Sequence, residues 1–248
     1  MSDQRYKRIM IKLSGAATAG NSDKVFDRAA MGRIVDEVLS ARRAGLDVAV
    51  VIGGGNIFRG TNASDWNIEP AEADNIGMLG TVINGVLLRA ALTAQAPEYD
   101  VRLMSAIPIP SVAEPYIRLR AIHHLDKGSL VVLVAGIGQP FVTTDYPAVQ
   151  RAVETRCDAV LVAKHGVDGV YDADPRKNPE ARRFASISFE EALKRDIKVM
   201  DQSALILARD RGVPVHIFNF DEDGSVARIC AGEDVGTLVT HDAVATYA

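Results

Sequence analysis

The chain has 248 residues, 48% of them apolar and 24% charged, and this composition excludes a disordered or low-complexity protein. At roughly 150 residues per domain, the length fits one large domain or two small lobes. The formal net charge of −4 leaves no overall positive field to gather nucleic acid or anionic lipid. We therefore expect neither as a partner, and any bound phosphate must be held locally.

The sequence favours a cytoplasmic protein. Its longest uninterrupted apolar stretch, residues 130–137, is far shorter than the ~20 residues that span a bilayer. The N-terminal segment is basic and polar and lacks the apolar core of a secretory signal. Cys157 and Cys230 are too few for a disulfide framework or a zinc site, and we expect both to be inert packing residues.

Short β-branched runs alternate with longer amphipathic segments, which is typical of an α/β protein with a parallel or mixed sheet. Asp27 is expected to cap the first helix, and Gly45 to follow its last turn. The predicted strands are residues 8–13, 47–52, 101–105, 130–135, 159–163 and 215–218. The predicted helices are residues 28–44, 71–94, 115–125, 146–155, 189–195 and 200–211.

Turn-forming dipeptides become frequent from about Lys164, and the charged stretch 176–183 follows them. This pattern of turn-forming and charged residues predicts a surface hairpin or flap, which could cover a bound nucleotide. No linker divides the chain, so we expect two approximate lobes, residues 1–160 and 161–248, to share one sheet.

Two strands end in segments suited to binding anions. Lys12 precedes a Ser-Gly turn at the end of the first strand, where a point charge and free backbone amides can meet a polyphosphate. Gly53, Gly54 and Gly55 follow the second strand, so a phosphate can approach their backbone closely. Arg59 can close a bidentate clamp on the same phosphate. The alternatives are a solvated lysine and a flexible turn with a surface arginine.

A third candidate corner, residues 135–145, adds two threonines and Asp145 after another apolar strand. These residues can cap the following helix, bind an anion, or do both. Residues 167–175 place Tyr171 among turns and carboxylates, which reads equally well as a nucleotide base site or a β-turn. His123 and His124 are adjacent in a predicted helix and point about 100° apart, so a shared metal is not expected.

Glycine-rich corners on different strands, with Lys12 and Arg59 nearby and Asp145 and Asp201 available for magnesium or for orienting Lys12, indicate two bound phosphorylated groups. That arrangement suits phosphoryl transfer, which depends on alignment and charge neutralisation. A phosphate acceptor is already deprotonated at neutral pH, so no general base is required.

The sequence resembles the bacterial UMP kinases (uridylate kinases) of the amino-acid-kinase superfamily over nearly its whole length. Several motifs in the same order make the resemblance specific, and neither the family nor this chain has a Walker P-loop. The matching segments are KLSG at Lys12, VVIGGGNIFRG at Val50, GMLGTVINGVLLR at Gly77, RLMSAIP at Arg102, PFVTTD at Pro140, VDGVYDADP at Val167, KVMDQSALILARD at Lys198 and GTLV at Gly236.

The resemblance implies a three-layer αβα sandwich around a mostly parallel sheet, with a β-hairpin flap. It also implies transfer of the ATP γ-phosphate to UMP in pyrimidine biosynthesis, with Mg²⁺ as cofactor. By the resemblance, the catalytic residues are Lys12, Arg59, Asp145 and Asp201, with Asp145 also a magnesium ligand. The implied ATP-binding residues are Lys12, Ser14, Gly15, Gly55, Arg59, His165, Tyr171 and Asp174. The implied UMP-binding residues are Gly54, Asp74, Ile137, Gly138, Gln139, Pro140, Phe141, Val142, Thr143 and Thr144.

The resemblance also implies a homohexamer that GTP activates and UTP inhibits. Arg89 and Arg102 match the family's effector-linked positions, whereas Thr93 replaces a histidine linked to the GTP site in some members. Effector response is therefore expected to be weakened or absent.

Other departures concern the substrates. Ala16 stands where the family usually has glutamate, and Ile137 and Gln139 replace a threonine and an asparagine. Either Lys164 or His165 can approach the adenine, and the ungapped match favours His165. Two other functions stay open: a sister kinase with a carboxylate or carbamate acceptor, and a non-catalytic nucleotide-binding protein.

Overall fold

The computed structural model describes residues 4–20, 24–60, 63–175, 177–197 and 199–248. The strands are β1 (Arg8–Leu13), β2 (Asp47–Ile52), β3 (Val101–Ser105), β4 (Glu114–Pro115), β5 (Leu130–Val134), β6 (Ala159–Lys164), β7 (Phe184–Ser188), β8 (Val215–Asn219), β9 (Thr237–Thr240) and β10 (Thr246–Tyr247). The helices are α1 (Arg28–Arg43), α2 (Pro70–Gln95), α3 (Arg118–Asp126), α4 (Asp145–Thr155), α5 (Phe189–Lys194), α6 (Gln202–Arg211) and α7 (Ser225–Cys230), with short 3-10 helices at Gly15–Thr18 and Ser64–Trp66.

The described strands form one ten-stranded sheet in the order β10-β7-β9-β8-β6-β1-β2-β5-β3-β4. Within it, β8–β9 and β7–β10 pair antiparallel and the other neighbours pair parallel. The central strands β1 and β2 run in matched register, from Arg8 beside Asp47 to Leu13 beside Ile52. Both are almost wholly buried, as expected for strands covered on both faces.

Helices cover both faces of the sheet because side chains alternate along each strand. On β1, Ile9 and Ile11 point into the core shared with α1, α2 and α7, whereas Met10 points into the core shared with α3, α4, α5 and α6. The predicted three-layer αβα architecture around a mostly parallel sheet is therefore confirmed.

The six predicted strands and six predicted helices are all present, with ends that differ by a few residues at most. Asp27 caps α1 by accepting a hydrogen bond from the amide of Ala30 at 2.9 Å, and Gly45 follows the helix with φ of +93°. The short elements β4, β7, β9, β10 and α7 were not predicted, because each is short and lacks the continuous apolar run that marked a strand such as β5.

The region of the predicted hairpin or flap contains one short antiparallel pairing among its described residues. In the described part of that region, Tyr171 and Arg183 form an isolated antiparallel bridge, and the amide of Phe184 donates to the carbonyl of Val170 at 2.8 Å. Arg176 of the predicted flap, and Lys198 of the motif that precedes α6, lie outside the described residues.

Helix α2 is long and apolar enough to cross a membrane by length and composition alone, a test that the core helix of a soluble protein also passes. Its inner face, including Leu88 and Leu92, is fully buried against the sheet. Both cysteines are free and buried, and burial raises the pKa of each thiol to about 12, which fits the expected packing role.

Candidate active site

A cleft of about 630 Å³ opens at the carboxyl ends of the central strands. Strands β6, β1, β2 and β5 are neighbours in the sheet, so the segments that follow β1, β2 and β5 meet at one edge. Ligands of open α/β sheets bind at this edge.

An ion pair lies at the base of the cleft. The ammonium nitrogen of Lys12, near the end of β1, is 2.5 Å from Oδ1 of Asp145, the first residue of α4, and both side chains are about nine-tenths buried. Burial raises the pKa of Asp145, but the ammonium groups of Lys12 and Lys164 lower it by more, so its pKa lies below the usual range. Asp145 is thus held as a carboxylate beside the ammonium group of Lys12.

Asp201 completes this acidic corner. Its backbone amide donates to Oδ2 of Asp145 at 3.3 Å, and its own carboxylate accepts a hydrogen bond from the hydroxyl of Thr143. A second cavity, of about 370 Å³, adjoins the cleft and shares Asp145 and Asp201 with it, and Lys164 lines its other side. The two carboxylates therefore stand between two spaces, each large enough for part of a ligand.

The glycine segments after β1 and β2 are in backbone contact. A Cβ atom on Gly15 would lie 2.5 Å from the backbone nitrogen of Gly55. On Gly54 it would overlap the carbonyl oxygen of Gly77 and lie 2.8 Å from the backbone nitrogen of Thr81. Glycine is thus required at these two positions by close packing of the loops and of α2, a reason that adds to the predicted access for phosphate.

The third segment, residues 136–144, has an unusual backbone held by side chains of α2. Ala135 and Phe141 both have positive φ, near +61° and +67°. The hydroxyl of Thr81 accepts from the amide of Ala135 at 2.7 Å, and a carboxylate oxygen of Asp74 accepts from the amide of Phe141 at 2.7 Å. Because residues 136–144 contain most of the predicted UMP-binding residues, we call them the acceptor loop.

Asn84 of α2 is a site residue that the sequence reasoning missed. It is fully buried and donates hydrogen bonds to the carbonyl of Gly53 at 2.6 Å and to Oδ1 of Asn56 at 2.7 Å. Asn56 donates to the carbonyl of Val25 at 2.9 Å. A polar residue within the apolar stretch 82–88 of this helix was the available signal, since buried amides require partners.

The amino acid kinase family profile matches residues 7–219 of the chain. The uridylate kinase of Frankia alni is 56% identical over 235 residues, which cover 95% of this chain and 91% of the relative. The uridylate kinase of Zymomonas mobilis is 45% identical over 238 residues, covering 96% and 97%. The chain belongs to the uridylate kinases of the amino acid kinase family.

Solved structures agree with this assignment. The crystal structure of UMP kinase from Bacillus anthracis superposes with a TM-score of 0.95 at 52% identity, covering 98% of this chain and 99% of that one. That of UMP kinase from Ureaplasma parvum superposes with a TM-score of 0.89 at 33% identity, covering 95% and 99%. The resemblance to UMP kinases deduced from the motifs is thereby confirmed.

Most residues that the uridylate kinase motifs single out line the cleft. After β1 these are Lys12, Ser14 and Gly15, and after β2 they are Gly54, Gly55 and Arg59. From α2 comes Asp74; from the acceptor loop come Gln139, Phe141, Val142, Thr143 and Thr144; and Asp145 and Asp201 complete the set. Thr144 occupies the N-cap position of α4 without a side-chain cap, so it stays available to a ligand.

Ile137, Gly138 and Pro140 belong to the acceptor loop but are not among the cleft-lining residues. Gly138 has φ of +75°, and its amide donates to the carbonyl of Ala135 at 2.8 Å, which shapes the loop. Ala16 lines the cleft and brings no carboxylate to it.

The predicted adenosine-side residues lie beyond the end of β6, outside the cleft. The Tyr171 hydroxyl donates to Asp168 at 2.6 Å, and the carbonyl of Asp174 accepts from the amide of Lys177 at 3.0 Å. His165 pairs with Asp221 at 2.7 Å, whereas Lys164 faces Asp145 and Asp201 across the second cavity. Burial and the nearby Lys12 lower the pKa of Lys164, and the two carboxylates partly offset them.

The predicted effector residues lie near the sheet edge formed by β4. Arg89 donates to the carbonyl of Val112 at 2.9 Å, and Arg102 pairs with Asp100 at 2.7 Å and Glu114 at 3.4 Å. His124 also pairs with Glu114, at 3.1 Å, and its ring centre lies 6.2 Å from that of His123. No group of three or more metal-ligating side chains occurs among the residues that the structure describes.

Proposed function

We propose that the protein transfers the γ-phosphoryl group of ATP to UMP, giving UDP and ADP, in pyrimidine nucleotide biosynthesis. One observation carries this proposal: the Lys12–Asp145 ion pair and Asp201 stand between two adjoining cavities. Such a corner can receive two phosphorylated ligands from opposite sides. The uridylate kinase relatives and the UMP kinase structures favour UMP and ATP as those ligands.

The chemistry requires alignment and charge neutralisation. An oxygen of the UMP phosphate attacks the γ-phosphorus of ATP, the bond to the β–γ bridging oxygen breaks, and ADP leaves with the electron pair. The acceptor oxygen is already ionised, so no residue has to remove a proton. Lys12 and Arg59 neutralise the negative charge of the two phosphate groups, which would otherwise repel one another. The amides of the glycine segments donate hydrogen bonds to phosphate oxygens.

Magnesium fits this corner as a partner of the substrate. Mg²⁺ usually takes one or two protein carboxylates and completes its octahedron with phosphate oxygens and water. The neighbouring carboxylates of Asp145 and Asp201 match that donor set, although Oδ1 of Asp145 is already paired with Lys12. When bound, the ion would screen the charge between donor and acceptor phosphates.

The two cavities support one side of the corner for each substrate. UMP would occupy the larger cleft, against Gly54, Asp74 and the acceptor loop, on the lobe formed by residues 1–160. ATP would extend from Ser14, Gly15 and Gly55 past Lys12 toward His165, Tyr171 and Asp174, on the lobe formed by residues 161–248. The position of Lys164, between the two acidic residues and the second cavity, supports a phosphate contact for it and leaves the adenine side to His165.

The proposal includes a cytoplasmic homohexamer whose activity responds to GTP and UTP. Helix α2 supports contact with further copies of the chain, because its outer residues Ile76, Leu79 and Ile83 are exposed apolar side chains. Arg89 and Arg102 are the proposed effector residues, and Thr93 predicts a weakened or absent response to GTP. Sedimentation velocity measures the assembly state, and initial rates with and without GTP or UTP measure the response of the activity.

A phosphate-acceptor panel tests the function. The protein is incubated with Mg-ATP and UMP, CMP, dTMP or carbamate, and ADP release is measured. Turnover confined to UMP supports the proposal. Turnover with carbamate alone would establish a sister kinase, and tight UMP binding without ADP release would establish a non-catalytic nucleotide-binding protein.

A further inference from the structure

We infer that Arg151 is a positioning residue that fixes the start of the acceptor loop and thereby sets the affinity for the acceptor nucleotide. Arg151 lies on α4 and lines neither of the two cavities described above. Its guanidinium donates to the carbonyl oxygen of Gly136, the first residue of the acceptor loop, at 3.2 Å. The inference deepens the proposed function and rests on it for the identity of the acceptor.

The surroundings of Arg151 hold its guanidinium in one place. Its other terminal nitrogen donates to Glu154 at 2.7 Å, and its guanidinium carbon lies 3.7 Å from the centre of the Tyr116 ring. Tyr116 donates its hydroxyl to the same oxygen of Glu154 at 2.6 Å. The side chain of Arg151 is only 8% exposed. A buried and stacked guanidinium that is already hydrogen-bonded to Glu154 has lost much of its freedom before the loop contact forms, so the contact costs little further entropy.

Glu154 provides the charge that keeps Arg151 there. Burial raises the pKa of Glu154, but hydrogen bonds from Tyr116, Gln150 and Arg151 lower it by more, so Glu154 remains ionised at neutral pH. Arg151 is therefore a paired cation, and its second hydrogen-bonding edge is free to serve the loop.

The acceptor loop needs such support because its backbone starts in a sparsely populated conformation. Ala135 has φ of +61° and Gly136 has φ of +55°. A positive φ at a non-glycine residue persists only where neighbouring groups over-determine it. Thr81 holds the amide of Ala135, Asp74 holds the amide of Phe141, and Arg151 holds the carbonyl between them. Of these three residues, Arg151 alone belongs to α4, whose first residue is Asp145. It therefore also connects the loop to the acidic corner formed by Asp145 and Asp201.

The test compares Arg151→Met with Arg118→Met. Arg118 is an exposed arginine that contacts the same Glu154, by donating to its backbone carbonyl at 2.9 Å. Within the part of the chain that the structure describes, it forms no hydrogen bond with the acceptor loop. We expect Arg151→Met to raise KM for UMP about tenfold or more, with KM for ATP changed less than about twofold. Arg118→Met should leave both constants near wild type. Arg151→Lys retains the charge without the fork and should fall between the two.

Hydrogen exchange gives a second readout that does not depend on the substrate. In Arg151→Met the amides of residues 136–144 should exchange about tenfold faster or more, while those of β1 and β2 keep their protection. Unchanged KM for UMP with unchanged loop exchange would overturn the inference, as would equal effects of Arg118→Met. If wild type fails to phosphorylate UMP, the proposed function falls, but faster loop exchange in Arg151→Met would still support the positioning role. If Arg151→Met does not fold, Arg151→Lys carries both measurements.

Discussion

Lys12, near the end of strand β1, and Asp145, the first residue of helix α4, form an ion pair of 2.5 Å with little of either side chain exposed. Removing one member of a buried pair leaves an uncompensated charge, which costs more than the pair itself contributes. Loss of either residue should therefore lower the stability of the fold, in addition to any effect on the proposed phosphoryl transfer.

We predict that Asp145→Asn lowers the rate of UDP formation by about 10²–10³-fold and the free energy of unfolding by about 3 kcal/mol. The double variant Lys12→Met/Asp145→Asn should regain part of the stability, because it buries no unpaired ammonium, but none of the activity. Urea denaturation and initial rates measure the two effects. A double variant as unstable as the sum of both single variants would show that the two charges do not stabilise one another.

Gly54 and Gly55 make a matched pair for testing why the loop after β2 contains consecutive glycines. A Cβ on Gly54 would overlap backbone atoms of α2, whereas a Cβ on Gly55 would lie 3.7 Å from its nearest neighbour, in the side chain of Arg59. Gly54→Ala should therefore lose about 1–3 kcal/mol of stability through overpacking. Gly55→Ala should unfold at the wild-type denaturant concentration, so that any loss of ATP affinity in it reports on phosphate contact alone. Equal stability losses would contradict the packing reason for Gly54.

Asn84 connects α2 to the glycine loop, and its removal tests that connection. We expect Asn84→Leu to lose about 2–3 kcal/mol, because the buried carbonyl of Gly53 and Oδ1 of Asn56 both lose the hydrogen bond that Asn84 donates. Asn56→Ala, at a half-buried position, should cost less. Thermal unfolding followed by circular dichroism ranks the two variants, and kcat should fall more in Asn84→Leu. Normal activity in that variant would show that the loop holds its shape without Asn84.

The sequence predicted the long elements and the glycine corners for the same reason: each is a local pattern. The run at Asp47–Ile52 is apolar throughout and ends directly in glycines, so both the strand and its role at the sheet edge can be deduced from neighbouring residues. Asp27 and Gly45 bound the first helix by equally local chemistry. The order of the motifs along the chain then indicated the family.

The supporting contacts could not be predicted because they join residues distant in sequence. The amide of Phe141 meets Asp74, and the guanidinium of Arg151 meets the carbonyl of Gly136, only once α2 and α4 lie on opposite faces of the sheet. The same holds for Lys164: motif alignment left it and His165 as alternatives for the adenine, whereas the fold places Lys164 beside the acidic corner and pairs His165 with Asp221. Short strands such as β9 depend on their sheet neighbours and leave no periodicity to detect.

His216 predicts the acid sensitivity of the fold. It is buried in β8, where its Nε2 lies 2.7 Å from the Tyr6 hydroxyl, and burial lowers its pKa from 6.5 to about 3. Between these two values the unfolded chain binds a proton that the native protein does not, so stability falls as the pH drops from about 6.5 toward 3. By about pH 5 the loss from this residue should reach about 2 kcal/mol. Its replacement by glutamine, which cannot be protonated, should remove that part of the pH dependence.

The measurement is the free energy of unfolding in urea at pH 7 and pH 5 for wild type, His216→Gln and His123→Gln. His123 is exposed on α3, so its variant should follow the wild-type pH dependence. His216→Gln keeps an acceptor for the Tyr6 hydroxyl, so its stability at pH 7 should be closer to wild type than that of His216→Leu, which leaves the hydroxyl unpaired. If His216→Gln loses as much stability as wild type between the two pH values, the buried histidine takes up its proton in the native state and other groups cause the acid sensitivity.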